Sequence, residues 1–214
     1  MKKRLATAGA MLVVLALIGS VLSWPVAGWL EGRECWLADD ARVDAVYILA
    51  GSSDGARGRG VVAWLLAGGK TGRILVPFDD MKGSWSRRDQ RNLTMGEWTL
   101  RALSEALDEA GLDVTVEVVE ADMRGTDAEV ASIARLVEQR PDLQTIALNT
   151  SRFHMRRTRM RASRYFAEAP GMIPGVRTWQ DRSPWVAGIE VLKMVRDGMG
   201  LTQVVRRRRS GVGG

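Results

Sequence analysis

Residues 150–157, TSRFHMRR, put two hydroxyls, the single histidine of the chain and three arginines within eight positions. An imidazole exchanges protons near neutral pH, and guanidinium groups hold phosphate or carboxylate, so this set suits acid–base work on an anionic ligand. A structural histidine at a strand-to-helix junction is the other reading, and both stay open at this level. On a helix, His154, Arg157, Arg161 and Arg164 share one face, while Met155, Ala162 and Phe166 share another that can meet a sheet. At a rise of about 1.5 Å per residue only His154 and Arg157 reach the ligand end of such a helix. Arg161 and Arg164 are therefore expected to form a solvated flank.

Two further stretches carry candidate chemistry. AGSSDGARGRG (50–60) is glycine-rich and opens a helix, with Arg57 and Arg59 in its first turn. It matches neither a Walker loop nor a strict dinucleotide fingerprint. Backbone N–H groups at a helix start could still cradle an anion together with Gly51, Ser52 and Arg57, plain turn chemistry being the alternative. In MRGTDAEVASIARL, Thr126 followed three residues later by Glu129 predicts a capping box, which by itself accounts for both residues. One cysteine, Cys35, and one histidine argue against a disulfide framework, a multi-thiolate site or a histidine-rich metal centre.

The elements needed to position these residues follow from the hydropathy pattern. Short β-rich runs are predicted at Val43–Ala50, Arg73–Pro77, Val114–Val119 and Leu143–Asn149, with a short strand around Val176. Helices are predicted at Arg57–Ala67, Leu93–Ala110, Thr126–Gln139, His154–Ala167 and Pro184–Met199. This alternation predicts an α/β fold, a Rossmann-like three-layer sandwich with a mostly parallel sheet and right-handed crossovers. Ligands of such sheets bind beyond the carboxyl ends of the strands, which points to the loops after residues 50, 77, 119 and 149.

Residues 5–24 carry no charge and are long enough to cross a hydrocarbon core of roughly 30 Å as a helix. Lys2, Lys3 and Arg4 precede them, whereas five acidic residues and two arginines occupy Glu31 to Asp44. The positive-inside rule then predicts a single-pass, uncleaved anchor in a plasma membrane, N-terminus cytoplasmic and domain extracytoplasmic. The organisation expected is a cytoplasmic tip and anchor (1–24), a juxtamembrane linker (25–41), an α/β domain (42–200) and a basic, mobile tail (201–214). The net charge of +6 owes seven positive charges to the two ends, so the body is near neutral. With few aromatics among the arginines and an extracytoplasmic address, nucleic acid is not an expected partner.

Taken in order, these segments resemble the YdcF-like family (domain of unknown function 218), which includes the SanA and ElyC envelope proteins. The resemblance runs over about residues 42–200 and is carried by VYILAGSSDGARGRG, Arg57 with Gly68 eleven residues on, ILVP, Gly111, GTDAE (125–129) and TSRFHMRR. It implies a Rossmann-like fold and a role in envelope or peptidoglycan maintenance, with cell-wall synthesis proteins as partners. It also implies a nucleotide-like ligand such as S-adenosylmethionine. The family's site positions fall on Gly51, Arg57, Thr126, Glu129, Thr150, Ser151, His154 and Arg157. Pro77-Phe78-Asp79-Asp80 stands where the family commonly has a second glycine loop. The two carboxylates there would cap a loop or hold a cation beside a phosphate.

On this basis the expected protein binds or processes an anionic small molecule, phosphorylated or nucleotide-like. Arg57 and Arg157 would hold the anion, and His154 with Glu129 would serve as the acid–base pair. The alternative is a non-enzymatic membrane-anchored scaffold that regulates cell-wall assembly.

Overall fold

The computed structural model describes residues 25–51 and 55–199. These residues form seven strands and five principal helices. The strands are β1 (Arg42–Ile48), β2 (Lys70–Pro77), β3 (Lys82–Ser86), β4 (Arg91–Thr94), β5 (Thr115–Val119), β6 (Ile146–Thr150) and β7 (Gly171–Pro174). The helices are α1 (Ala56–Leu66), α2 (Met95–Ala110), α3 (Thr126–Gln139), α4 (Met155–Ala162) and α5 (Pro184–Gly198).

Five strands form one parallel sheet in the order β5-β2-β1-β6-β7. Counted among themselves the parallel strands run 3-2-1-4-5, the doubly wound Rossmann arrangement, with its switch point between β1 and β6. Successive side chains of a strand point to opposite faces, and both faces of β1 are apolar. Val46 and Ile48 pack under α1 and α2 with Val61, Trp64, Leu103 and Leu107. Ala45, Tyr47 and Leu49 pack on the other side with Val130 and Ile133 of α3 and Met155 and Ala162 of α4. Burial on both faces explains why the central strands read as continuous apolar runs.

Several local expectations change. A polar antiparallel hairpin, β3–β4, stands between β2 and α2 where no strand was expected. It delivers Thr94 as the N-cap of α2, whose side chain accepts from Glu97 N while Glu97 returns to Thr94 N, a complete capping box. The box expected at Thr126 does not form. Gly125 is the N-cap of α3, so Thr126 is the first helical residue and Glu129 lies one position too far along to close a box. The helix expected from His154 begins as a 3₁₀ turn, Arg152–His154, and its α part ends at Ala162 rather than Ala167. The last strand lies at Gly171–Pro174, ahead of Val176.

Arg161 is not on a solvated flank. It is buried, and its guanidinium grips Asp197 of α5 at 2.5 and 3.1 Å. Helix α5 covers this part of the expected flank, whereas Arg164 is exposed as the spacing assigned it. Among the described residues no helix is long and apolar enough to cross a membrane. The expected anchor at 5–24 and the tail at 201–214 lie outside the described residues.

Candidate functional site

The end of α1 that faces the sheet is fixed by close backbone packing. Gly60 lies against Pro174 and Gly175, where a Cβ would overlap the Pro174 carbonyl. Val176 N donates to Ala56 O and Gly175 N to Thr150 O, both at 2.9 Å. These bonds draw the carboxyl ends of β6 and β7 onto the first turn of α1, beside the switch point. A cleft of about 470 Å³ opens there, lined by Gly51, Arg57, Ser151, His154, Trp179, Gln180, Glu190 and Lys193 among others.

His154 sits at the end of the 3₁₀ turn, its backbone N–H bonded to Ser151 O at 2.9 Å. Its Nδ1 is 2.9 Å from Glu190 Oε2. Glu190, from α5, is only 1% exposed. The same Oε2 lies 2.7 Å from Arg157 Nε, and Oε1 accepts from Lys193 Nζ at 2.6 Å. Burial works against ionisation of Glu190. The hydrogen bond and the charge of His154, protonated in that acid range, outweigh it with the hydrogen bond from Lys193 and the charge of Arg157, and hold the carboxyl at about 2.

For His154 the balance falls the other way. Burial lowers its affinity for a proton, the pull of Glu190 opposes this, and the Arg157 and Arg57 cations reinforce the lowering. The ring therefore favours its neutral form at pH 7. Nδ1 has two neighbours, the Glu190 carboxylate at 2.9 Å and Arg157 NH2 at 3.1 Å. The carboxylate can only accept, so the closer contact assigns the proton to Nδ1 and leaves Nε2 as the basic nitrogen. Glu190 is one anion among three cations, Arg157, Lys193 and Arg57, so the neighbourhood carries a positive excess suited to an anionic ligand.

The expected site residues divide by position. Gly51 lines the cleft with φ +89°, a conformation that a side chain would strain. Ser151 also lines it, and accepts from Arg57 Nε at 3.2 Å. Arg57 is 5% exposed and gives NH1 to the carbonyls of Leu49, at 2.5 Å, and Ala50. It thus braces the end of β1 as well as facing the cleft. Arg157 is a correction: it stands behind Glu190 and does not line the cleft. Thr150 is buried as the last residue of β6, and Thr126 is half-buried at the start of α3 and outside the cleft lining. Ser52 lies outside the described residues.

Glu129 is not brought to His154's cleft. Its Oε1 accepts from Tyr47 Oη at 3.0 Å and from Ala50 N at 2.7 Å, tying α3 to the end of β1. Burial raises its carboxyl above the ordinary value, against those two bonds and the Arg57 charge. The carboxylate partner of His154 is instead Glu190, with Lys193 as the accessible cation; the sequence reading proposed neither. A single acid in the apolar helix PWVAGIEVLKMV was the available signal. Asp79 is buried and its Oδ1 accepts from Met81 N at 3.0 Å, which fits the loop-capping reading. Among the described residues no three of His, Cys, Asp and Glu gather closely enough to hold a metal ion.

No family model matches the chain, and no curated protein matches it. Among solved structures, a short chain dehydrogenase from Escherichia coli CFT073 is similar at 16% identity with a TM-score of 0.28. The match covers 54% of this chain and 42% of that structure, so the chain spans less than half of its length. Likeness at that level carries no argument about fold or activity.

Proposed function

We propose that the chain is a membrane-anchored envelope protein of the YdcF type, held by residues 5–24, whose extracytoplasmic domain binds and processes an anionic small molecule. The observation that carries the reading is His154, held at Nδ1 by the buried Glu190 carboxylate in a cleft with a positive excess. That arrangement leaves Nε2 to take a proton from an attacking water or hydroxyl near neutral pH. Lys193 and Arg57 would neutralise the ligand's charge as more of it develops on the leaving oxygen. The imidazolium so formed would be stabilised by Glu190 and could return its proton to the leaving group. Phosphate esters, including nucleotide-like and lipid-carrier phosphates, are the class that such a set serves.

Full-length chain in detergent, titrated calorimetrically with nucleotides, sugar phosphates and a polyprenyl phosphate, tests the reading. Binding of one class that weakens in Lys193→Ala, and turnover that disappears in His154→Ala, support it. Equal binding by both variants and parent would remove the anion-site reading and leave a scaffold as the better account.

A further inference from the structure

Helix α5 has two solvent-facing rows of different character. Val186, Ile189 and Lys193 line the cleft. Beside them runs a second row, Trp185, Leu192 and Val195, exposed by 77%, 70% and 47%, with Met199, 63% exposed, just past the helix end. At 100° per residue this row spans about 80° of the helix circumference, opposite the buried Ala187, Glu190 and Asp197. Trp179, on the cleft rim just before α5, is 73% exposed. The exposed Trp185, Leu192, Val195 and Met199, with Trp179 on the nearby rim, exceed the scattered apolar exposure of an ordinary surface.

We infer that this stripe docks on the surface of an anionic lipid bilayer, seating the cleft mouth at the headgroup level. Amphipathic tryptophan rings favour that layer, and an apolar helix face with neighbouring cations is the pattern of interfacial helices. Arg196 flanks the stripe, its guanidinium shared with Asp197 at 3.0 Å, and the sequence after α5 runs on to Arg206–Arg209. The geometry of the other end agrees. The uncharged segment 5–24 joins a helical turn at residues 25–31, whose Glu31 binds Arg177 at 2.6 Å. Arg177 is two residues before Trp179, so the joint of that segment is fastened to the connection leading into α5. The inference rests on the anchored reading given above.

The test uses full-length protein with Cys35→Ser and one new cysteine, either Leu192→Cys on the stripe or Leu66→Cys on α1. Leu66 is 64% exposed and lies at the end of α1, away from α5, which makes it the control. Each variant is labelled with an environment-sensitive fluorophore and reconstituted into phosphatidylglycerol vesicles carrying a nitroxide-labelled lipid. Docking predicts a blue shift and quenching by the nitroxide at position 192 and neither at position 66. It also predicts that the quenching shrinks in purely zwitterionic vesicles. A chain that floats with the vesicles but shows no quenching at 192, or equal quenching at 66, overturns docking and leaves the anchor standing. A blue shift at 192 without nitroxide quenching assigns the stripe to segment 5–24 or to a second copy and overturns docking as well. A chain that fails to float overturns both readings.

Discussion

Two buried glutamates stand near the carboxyl end of the sheet, and their environments have made different groups of them. Glu190 is 1% exposed and Glu129 is 4% exposed. Glu190 faces His154, Arg157 and Lys193 and is held ionised, at about 2. Among the described residues no cation is bonded to Glu129; it accepts from a tyrosine hydroxyl and a backbone N–H, and burial moves it upward. Burial alone does not set a carboxyl's charge. The count of opposing charges in contact with it does, and it separates a group that orients a base from one that fastens a loop.

The largest expected effect comes from breaking the ionised site. Glu190→Ala leaves Arg157 and Lys193 without their shared carboxylate, and removing one partner of a buried ion pair costs about 3–5 kcal/mol. Urea unfolding followed by tryptophan fluorescence should show the loss, together with loss of any turnover, because His154 would no longer be held. A change under about 1 kcal/mol would mean that water already screens the site. His154→Ala should lower turnover by about 10²–10⁴-fold, the usual contribution of a positioned base, with an unfolding midpoint near that of the parent. Loss of stability without loss of turnover would make this histidine structural.

The pH dependence should separate the two carboxyls by sign. Glu190's folded value lies below its unfolded value of 4.5, so its contribution is present above about 4.5 and is lost as pH falls towards 2. Glu129's folded value is raised, so its contribution is largest below its unfolded value and declines as pH rises through the folded one. His154, lowered, opposes folding as pH drops below its ordinary value of 6.5, where the unfolded chain takes up a proton that the folded ring resists. Stability curves of Glu129→Gln and Glu190→Gln against pH should therefore differ from the parent's in opposite directions within the acid range. Parallel curves would contradict the assigned charge states.

The same contrast marks where local sequence was readable. Apolar runs identified the central strands β1, β2 and β6 because both faces are covered, and glycine with arginine located the start of α1. The motif T-x-x-E occurs at Thr94–Glu97 and at Thr126–Glu129, with two outcomes. Thr94 precedes the first helical turn and Glu97 closes a box; Thr126 is already inside its helix, so Glu129 turns inward to β1. One position of offset decides it, and only the chain path before the helix fixes that offset. The hairpin β3–β4 escaped because KGSWS and RNLT are polar and short, and its turn places Gln90 rather than glycine at positive φ. The Glu190 and Asp197 partnerships join residues 36 positions apart, and no local period reports them.

The smallest effect discriminates most finely at Glu129, whose carboxyl burial raises. Tyr47→Phe removes one of two hydrogen bonds to Glu129 Oε1 and leaves the bond from Ala50 N in place. A neutral donor to a carboxyl that favours its protonated form contributes about 0.5–1.5 kcal/mol, whereas a donor to a charged carboxylate contributes about 1.5–3 kcal/mol. The unfolding free energy of Tyr47→Phe, measured below pH 4.5 and again at pH 8, thus reports Glu129's charge directly. A cost near 1 kcal/mol at acid pH that grows at pH 8 fits a carboxyl ionising within that range. A cost of about 3 kcal/mol that is the same at both would mean that Glu129 is ionised throughout, and the difference between the two glutamates would disappear.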